Sequence, residues 1–107
     1  MNKATIIEMA PFEVAEGVTT AQLLNASHQL EEGFLGKCEG YIARSLVKTG
    51  ENKYMDIVYW ASLDDAQKAS ENIFESAYCN AYFACMRMEE GVEPQIMHYE
   101  IVGSYSK

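Results

Sequence analysis

Apolar and polar positions along this chain switch between a two-residue and a helical period. The run ATIIEM is short and β-branched and predicts a first strand over Ala4–Met9, stopped by Pro11. From Thr19 onward Leu23, Leu30 and Phe34, with Ser27 between them, recur at helical spacing. Thr19 and Gln22 have the spacing of a capping box, so a helix is predicted from about residue 19 into the high thirties. Gly33 and Gly36 weaken its last turns by about 1 kcal/mol each relative to alanine, which implies fraying or close packing there.

Gly40 releases the chain into YIARSLVKT, and the turn GEN leads to KYMDIVYWA; these are two β-rich runs close enough to form a hairpin. With a loop over Thr49–Asn52, Lys48 faces Lys53, Ser45 faces Asp56 and Tyr41 faces Trp60. That register puts Tyr41, Ala43, Val47, Val58 and Trp60 on one face of the hairpin, and Ile42, Leu46, Met55, Ile57 and Tyr59 on the other. Ser62 caps a second helix, whose first turn carries Asp64 and Asp65 at the positive end of the dipole. Ala66, Ala69, Ile73 and Ala77 form a small-residue stripe that lets this helix lie close on a sheet. YCNAYFACMRME predicts a further helical segment ended by Gly91 and Pro94, and QIMHYEIVGSY a last strand.

The order strand, helix, strand, strand, helix, strand, with right-handed crossovers, predicts one α+β domain over residues 1–107. It is ferredoxin-like: a four-stranded antiparallel sheet in the order 4-1-3-2 with its helices on one face. The other face is then left bare although both alternations of the hairpin are apolar, and this predicts a homodimer with sheets packed face to face.

Charge narrows the partners. The net charge is -8 with only 8 Lys and Arg, scattered singly, which argues against nucleic acid and against an anionic membrane surface. No apolar run approaches the roughly 20 residues of a spanning helix, and MNKATIIEMAPFE places acids and a proline where a signal peptide would stay apolar. A cytoplasmic protein is expected. Its 3 cysteines are expected to be free thiols, and no CxxC or HxxxH spacing suggests a metal.

The run GYIARSLVK…NKYMDIVYWASLDDAQKA…FESAYCNAYFACM…MHYEIV resembles the antibiotic biosynthesis monooxygenase type of dimeric α+β barrel, over roughly residues 4–104. The shared features are a Gly-aromatic-Ile strand start, a third strand ending in Trp followed by Ser and an acidic helix start, and a final strand containing His. The resemblance implies that Trp60 walls a cavity between sheet and helices within each subunit. It also implies a cofactor-independent monooxygenase-like activity, with no metal or flavin, on a small aromatic or polyketide-like substrate. Members that cleave haem carry an Asn in the first strand and a His on the helical segment after the Trp. Here the first strand offers Glu8, Met9 and Ala10, and residues 76–88 contain no His.

Such chemistry needs a dry aromatic pocket and a base. His98, mid-strand, is the candidate base; Glu100 shares its face, and Glu8 and Asp56 lie on the neighbouring strands. An acid between apolar neighbours, as at Asp56, needs a partner to offset its burial, and Arg44 or Ser45 across the hairpin could supply it. Tyr54, Phe74, Tyr82 and Phe83 are candidate walls, and Asn80 can either lend its amide to a ligand or bond its own backbone. His28, beside Gln29, Glu31 and Glu32, is expected to face solvent. The same residues suit a proton-transfer isomerase or lactone-processing enzyme, and a non-catalytic dimer that binds a ligand or only assembles would use them for packing alone.

Overall fold

A computed structural model describes residues 3–88 and 95–107 of the chain. The elements are β1 (Ile6–Glu13), α1 (Thr20–Gly33), β2 (Tyr41–Gly50), β3 (Lys53–Trp60), α2 (Leu63–Asn72), α3 (Ala77–Phe83) and β4 (Met97–Glu100). Every strand pair is antiparallel, and the sheet order β2-β3-β1-β4 is the predicted order read from its other edge.

The local start signals work as read. Thr19 accepts from the Gln22 amide at 3.1 Å while the Gln22 side chain accepts from the Thr19 amide at 2.9 Å, and Ser62 accepts from the Asp65 amide at 3.1 Å. Helix α1 is shorter than expected: it ends at Gly33 and passes into a 3-10 turn at Leu35–Lys37. Close packing is the reason at Gly33, where a Cβ would sit inside the Tyr78 ring of α3.

Three expectations are corrected. The first strand does not stop at Pro11, which pairs with Met55 inside β1. Pairing with β4 ends at Met9↔Met97, and the Glu13 carbonyl bonds away from β3, to the Arg87 amide. By alternation Pro11 therefore turns its missing N–H toward an edge that has no ladder at that point.

The hairpin register is also different. The turn is Glu51–Asn52, with Asn52 at φ 59°, and Gly50 faces Lys53. Register shifts between Lys48 and Gly50 and between Tyr41 and Ala43 restore Tyr41↔Trp60 but put Ser45 opposite Ile57 and Leu46 opposite Asp56. Between the shifts every β2 side chain is on the face opposite to the expected one. Arg44 and Leu46 join Val58 and Asp56 on the helix side, and Ala43 and Val47 join Tyr59 and Met55 on the other.

The segment after α2 is the third. A 3-10 turn at Ile73–Glu75 and the extended Ser76 break the helical path, so Ala77 leaves the small-residue stripe and is exposed while Ala66 and Ala69 are buried. Helix α3 ends at Phe83, and Met86 pairs with Val14 while the Arg87 amide donates to the Glu13 carbonyl at 2.7 Å. The free edge of β1 satisfies this backbone better than another helical turn would. Gly91 and Pro94 lie outside the described residues.

The core sits between the helices and one face of the sheet, built on Leu23, Leu30, Leu35, Val58, Trp60 and Tyr82. Along β3, Tyr54, Asp56, Val58 and Trp60 are all buried, and the residues between them are only half-buried. No helix among the described residues is long and apolar enough to cross a membrane.

Candidate active site

Strand alternation gathers the polar groups. Glu8 pairs across with Val58 on β3 and with His98 on β4, and Ala10 with Asp56, so Glu8, His98, Asp56 and Trp60 all point to the helix side of the sheet. Beneath the helices a cavity of about 290 Å³ is walled by apolar groups including Phe34, Val58, Trp60, Ile73 and Phe83. Its polar lining includes Glu8, Glu13, Arg44, Asp56, Tyr82 and Arg87.

Two polar systems meet there. In the first, the Glu8 carboxylate lies 2.8 Å from His98 Nε2. Glu8 lines the cavity and His98 sits behind it, so the expected pair is present with the carboxylate in front. Glu100, on the same face of β4, is exposed.

The second system is centred on Asp56, whose partner is Arg44. Arg44 Nε donates to one Asp56 oxygen at 2.8 Å and the Tyr82 hydroxyl to the other at 2.7 Å, while Arg44 also stacks over the Tyr82 ring at 5.2 Å. Burial pushes the Asp56 carboxyl up, with Arg44 and Tyr82 pulling against it. At Arg44 burial favours the neutral form, but the Asp56 charge and Tyr82 outweigh it and hold the guanidinium proton more tightly than usual. Burial, then the Asp56 charge, pushes the Tyr82 phenol far above its ordinary range, so it remains a donor.

Trp60 is both core and wall. It is 1% exposed, meets Tyr41 edge-on at 5.9 Å and lines the cavity. Its indole Nε1 and Arg44 Nη2 are buried atoms with no hydrogen-bond partner.

Of the candidate walls, Tyr82 and Phe83 line the cavity. Tyr54 is stacked on Phe12 at 5.8 Å, a layer behind it. Phe74 is 69% exposed, outside the cavity and against Phe83, and Asn80 donates to the Phe74 carbonyl at 3.4 Å, bonding its local backbone. His28 is exposed and paired with Glu32 at 2.8 Å. Arg44, Phe34 and Met86 were not foreseen in the lining. For Arg44 a signal existed, since a lone cation in an apolar strand near Asp56 must be paired, but the bulge that turns it inward has no signature in YIARS.

Burial pushes the Cys38, Cys79 and Cys85 thiols up, which makes them poor nucleophiles at neutral pH. Among the described residues no cluster of three or more His, Cys, Asp and Glu side chains is disposed to hold a metal ion.

Solved structures with this architecture exist. A protein described as a putative antibiotic biosynthesis monooxygenase, from Bordetella bronchiseptica, superposes with a TM-score of 0.73 at 19% identity, covering 92% of this chain and 98% of that one. The chain has the antibiotic biosynthesis monooxygenase-type fold. SnoaB, a cofactor-independent oxygenase from Streptomyces nogalater, matches at 0.66 and 14% identity over 96% of each chain. MhuD, a heme-degrader from Mycobacterium tuberculosis, matches at 0.62 and 16% identity over 94% of this chain and 99% of that one. At such identities the likeness is one of fold. No family model and no curated protein matches the sequence.

Proposed function

We propose that this chain is a cofactor-independent monooxygenase-type enzyme that binds a small aromatic or polyketide-like substrate in the cavity between sheet and helices. The observation that carries the proposal is the presence in one apolar cavity of an aromatic wall, Trp60, and a carboxylate, Glu8, backed at 2.8 Å by an imidazole, His98. Glu8 takes a proton from an acidic O–H or C–H of the substrate, and the bonding pair stays on the ring as a delocalised anion. His98 fixes the orientation of Glu8 and shares the proton. The anion gives electrons to dioxygen and forms a C–O bond; protonation gives a hydroperoxide, and loss of water from it leaves a ring carbonyl. Protein groups therefore bind, deprotonate and exclude water, while the substrate is the reductant.

Two chains packed sheet to sheet are part of this reading. The face away from the helices presents Ile7, Met9, Val47, Ile57, Tyr59 and Tyr99, an apolar surface that a second copy would cover.

Oxygen-electrode measurements across a panel of naphthols and anthrones test the activity. Uptake that needs no added cofactor, and falls by two orders of magnitude or more in Glu8→Gln, is the expected result. The Glu8–His98 pair also favours a second reading, proton transfer without oxygen in the manner of an isomerase. Equal turnover of a keto-enol substrate under argon and air would select it.

A further inference from the structure

Along β1 the side chains that point to the helices are Ile6, Glu8, Ala10 and Phe12, and every inward position of the facing β3 carries a larger group than alanine. Ala10 lines the cavity together with Glu8, and both are half-buried, so the space over the alanine is reached from the cavity. Across the strand Ala10 faces Asp56, whose two oxygens are taken by Arg44 at 2.8 Å and by the Tyr82 hydroxyl at 2.7 Å. Next along β1, Phe12 is stacked on Tyr54 at 5.8 Å and meets Tyr82 edge-on at 5.9 Å. Tyr82 is held at its hydroxyl and Phe12 between two rings, so neither closes over the alanine.

We propose that Ala10 is the seat of the ligand's ring, and that the small size of its side chain sets how large a ring system the cavity takes. The proposal rests on the reading of the cavity as a ring-binding site and adds where the ring lies. Alanine and phenylalanine differ by a phenyl group, so an alanine among larger inward neighbours leaves room on the order of one aromatic ring. Glu8 is two residues back along the same strand, about 7 Å from Cα to Cα, so its carboxylate meets a ring over Ala10 at the edge, where an acidic O–H or C–H is carried. The opposite edge meets the Phe12 and Tyr82 rings, where a charged substituent would lose its hydration and an uncharged aromatic edge packs. The ligand class that fits is a fused aromatic with its acidic group at one end and no charge at the other.

Ala10→Phe gives the seat a ring of its own. Calorimetric titration with 1-naphthol is expected to show binding to the wild type and binding weaker by about tenfold or more to Ala10→Phe. The urea midpoint of the variant should be unchanged or higher, because the added phenyl group fills open space. An alanine that is only packed core predicts the reverse: the larger side chain overpacks, and a lowered midpoint or a variant that does not fold overturns the proposal. Undiminished naphthol binding by a stable Ala10→Phe also overturns it and leaves the ring-binding reading standing. The wild type gives a second readout in the isotope-labelled methyl group of Ala10, whose resonance should move upfield when naphthol stacks over it; a methyl unmoved at saturation overturns the seat. Absence of naphthol binding to the wild type overturns both readings.

Discussion

The two faces of this sheet come from the same four strands and differ in where they place charge. The face under the helices holds Glu8, Arg44, Asp56 and His98 beside the apolar core; the face away from them holds Ile7, Met9, Val47, Ile57 and Tyr59. On β3 the contrast is between neighbours: Asp56 is 6% exposed while Ile57 beside it is only half-buried on the bare side. Burying charge is tolerated only where each group is paired, and Asp56 has both oxygens bonded, Arg44 its Nε and Nη1, and Glu8 its histidine. On the proposed function, the polar face serves chemistry inside the protomer and the apolar face contact outside it.

Breaking the paired face should cost most. Asp56→Ala leaves Arg44 buried without its counter-charge, and urea unfolding is expected to show a loss of about 3–5 kcal/mol. A loss below about 1 kcal/mol would mean that the Arg44–Asp56 pair is not the element that makes this face tolerable. Tyr82→Phe removes one of the two bonds to Asp56 and should cost about 1–3 kcal/mol in the same assay.

On the bare face the effect should be on association instead. Ile57→Lys is expected to leave protomer stability within about 0.5 kcal/mol while light scattering shows the mass falling from dimer to monomer. A wild type already monomeric at micromolar concentration would remove the sheet-to-sheet pairing.

The smallest effect is in alkali. Burial raises the Tyr82 phenol, as it does that of Tyr41, which also donates to Glu31 at 2.8 Å. Because the folded state holds these protons above the ordinary tyrosine range of about 10, the unfolded chain ionises first. Their contribution is complete below that range and is lost as the pH rises through the folded values. The urea midpoint should therefore decline above about pH 10, and less steeply in Tyr82→Phe.

How much of this the chain announces depends on the range of the interaction involved. Caps are local, so Thr19, Gln22 and Ser62 could be read directly, and crossover handedness reduced the topologies to the sheet order observed. That Glu8, Asp56, Trp60 and His98 share a face follows from alternation along β1, β3 and β4, whose pairings through β1 carry no bulge. Arg44 is one of the two partners the sequence offers for Asp56 and is the one found, but the expected register puts it on the other face, because a bulge near Ile42 reverses the parity of β2 and depends on how the hairpin closes at Asn52. Pro11 misled for a similar reason: whether a proline ends a strand depends on what pairs beside it, and β4 stops at Met97. YCNAYFACMRME reads as one helical segment rich in bulky apolar groups, whereas the open edge of β1 claims the backbone of Met86 and Arg87.

The central claim is that the helix-side cavity takes a ring compound and that Glu8 removes its proton. It is tested most directly by mixing 1,8-dihydroxyanthrone with the protein under argon and recording the absorption spectrum of the bound compound in wild type and Glu8→Gln. The account predicts the red-shifted anion band in the wild type and the neutral spectrum in Glu8→Gln, with Trp60 fluorescence quenched in both. Quenching with the neutral spectrum in both proteins would contradict it.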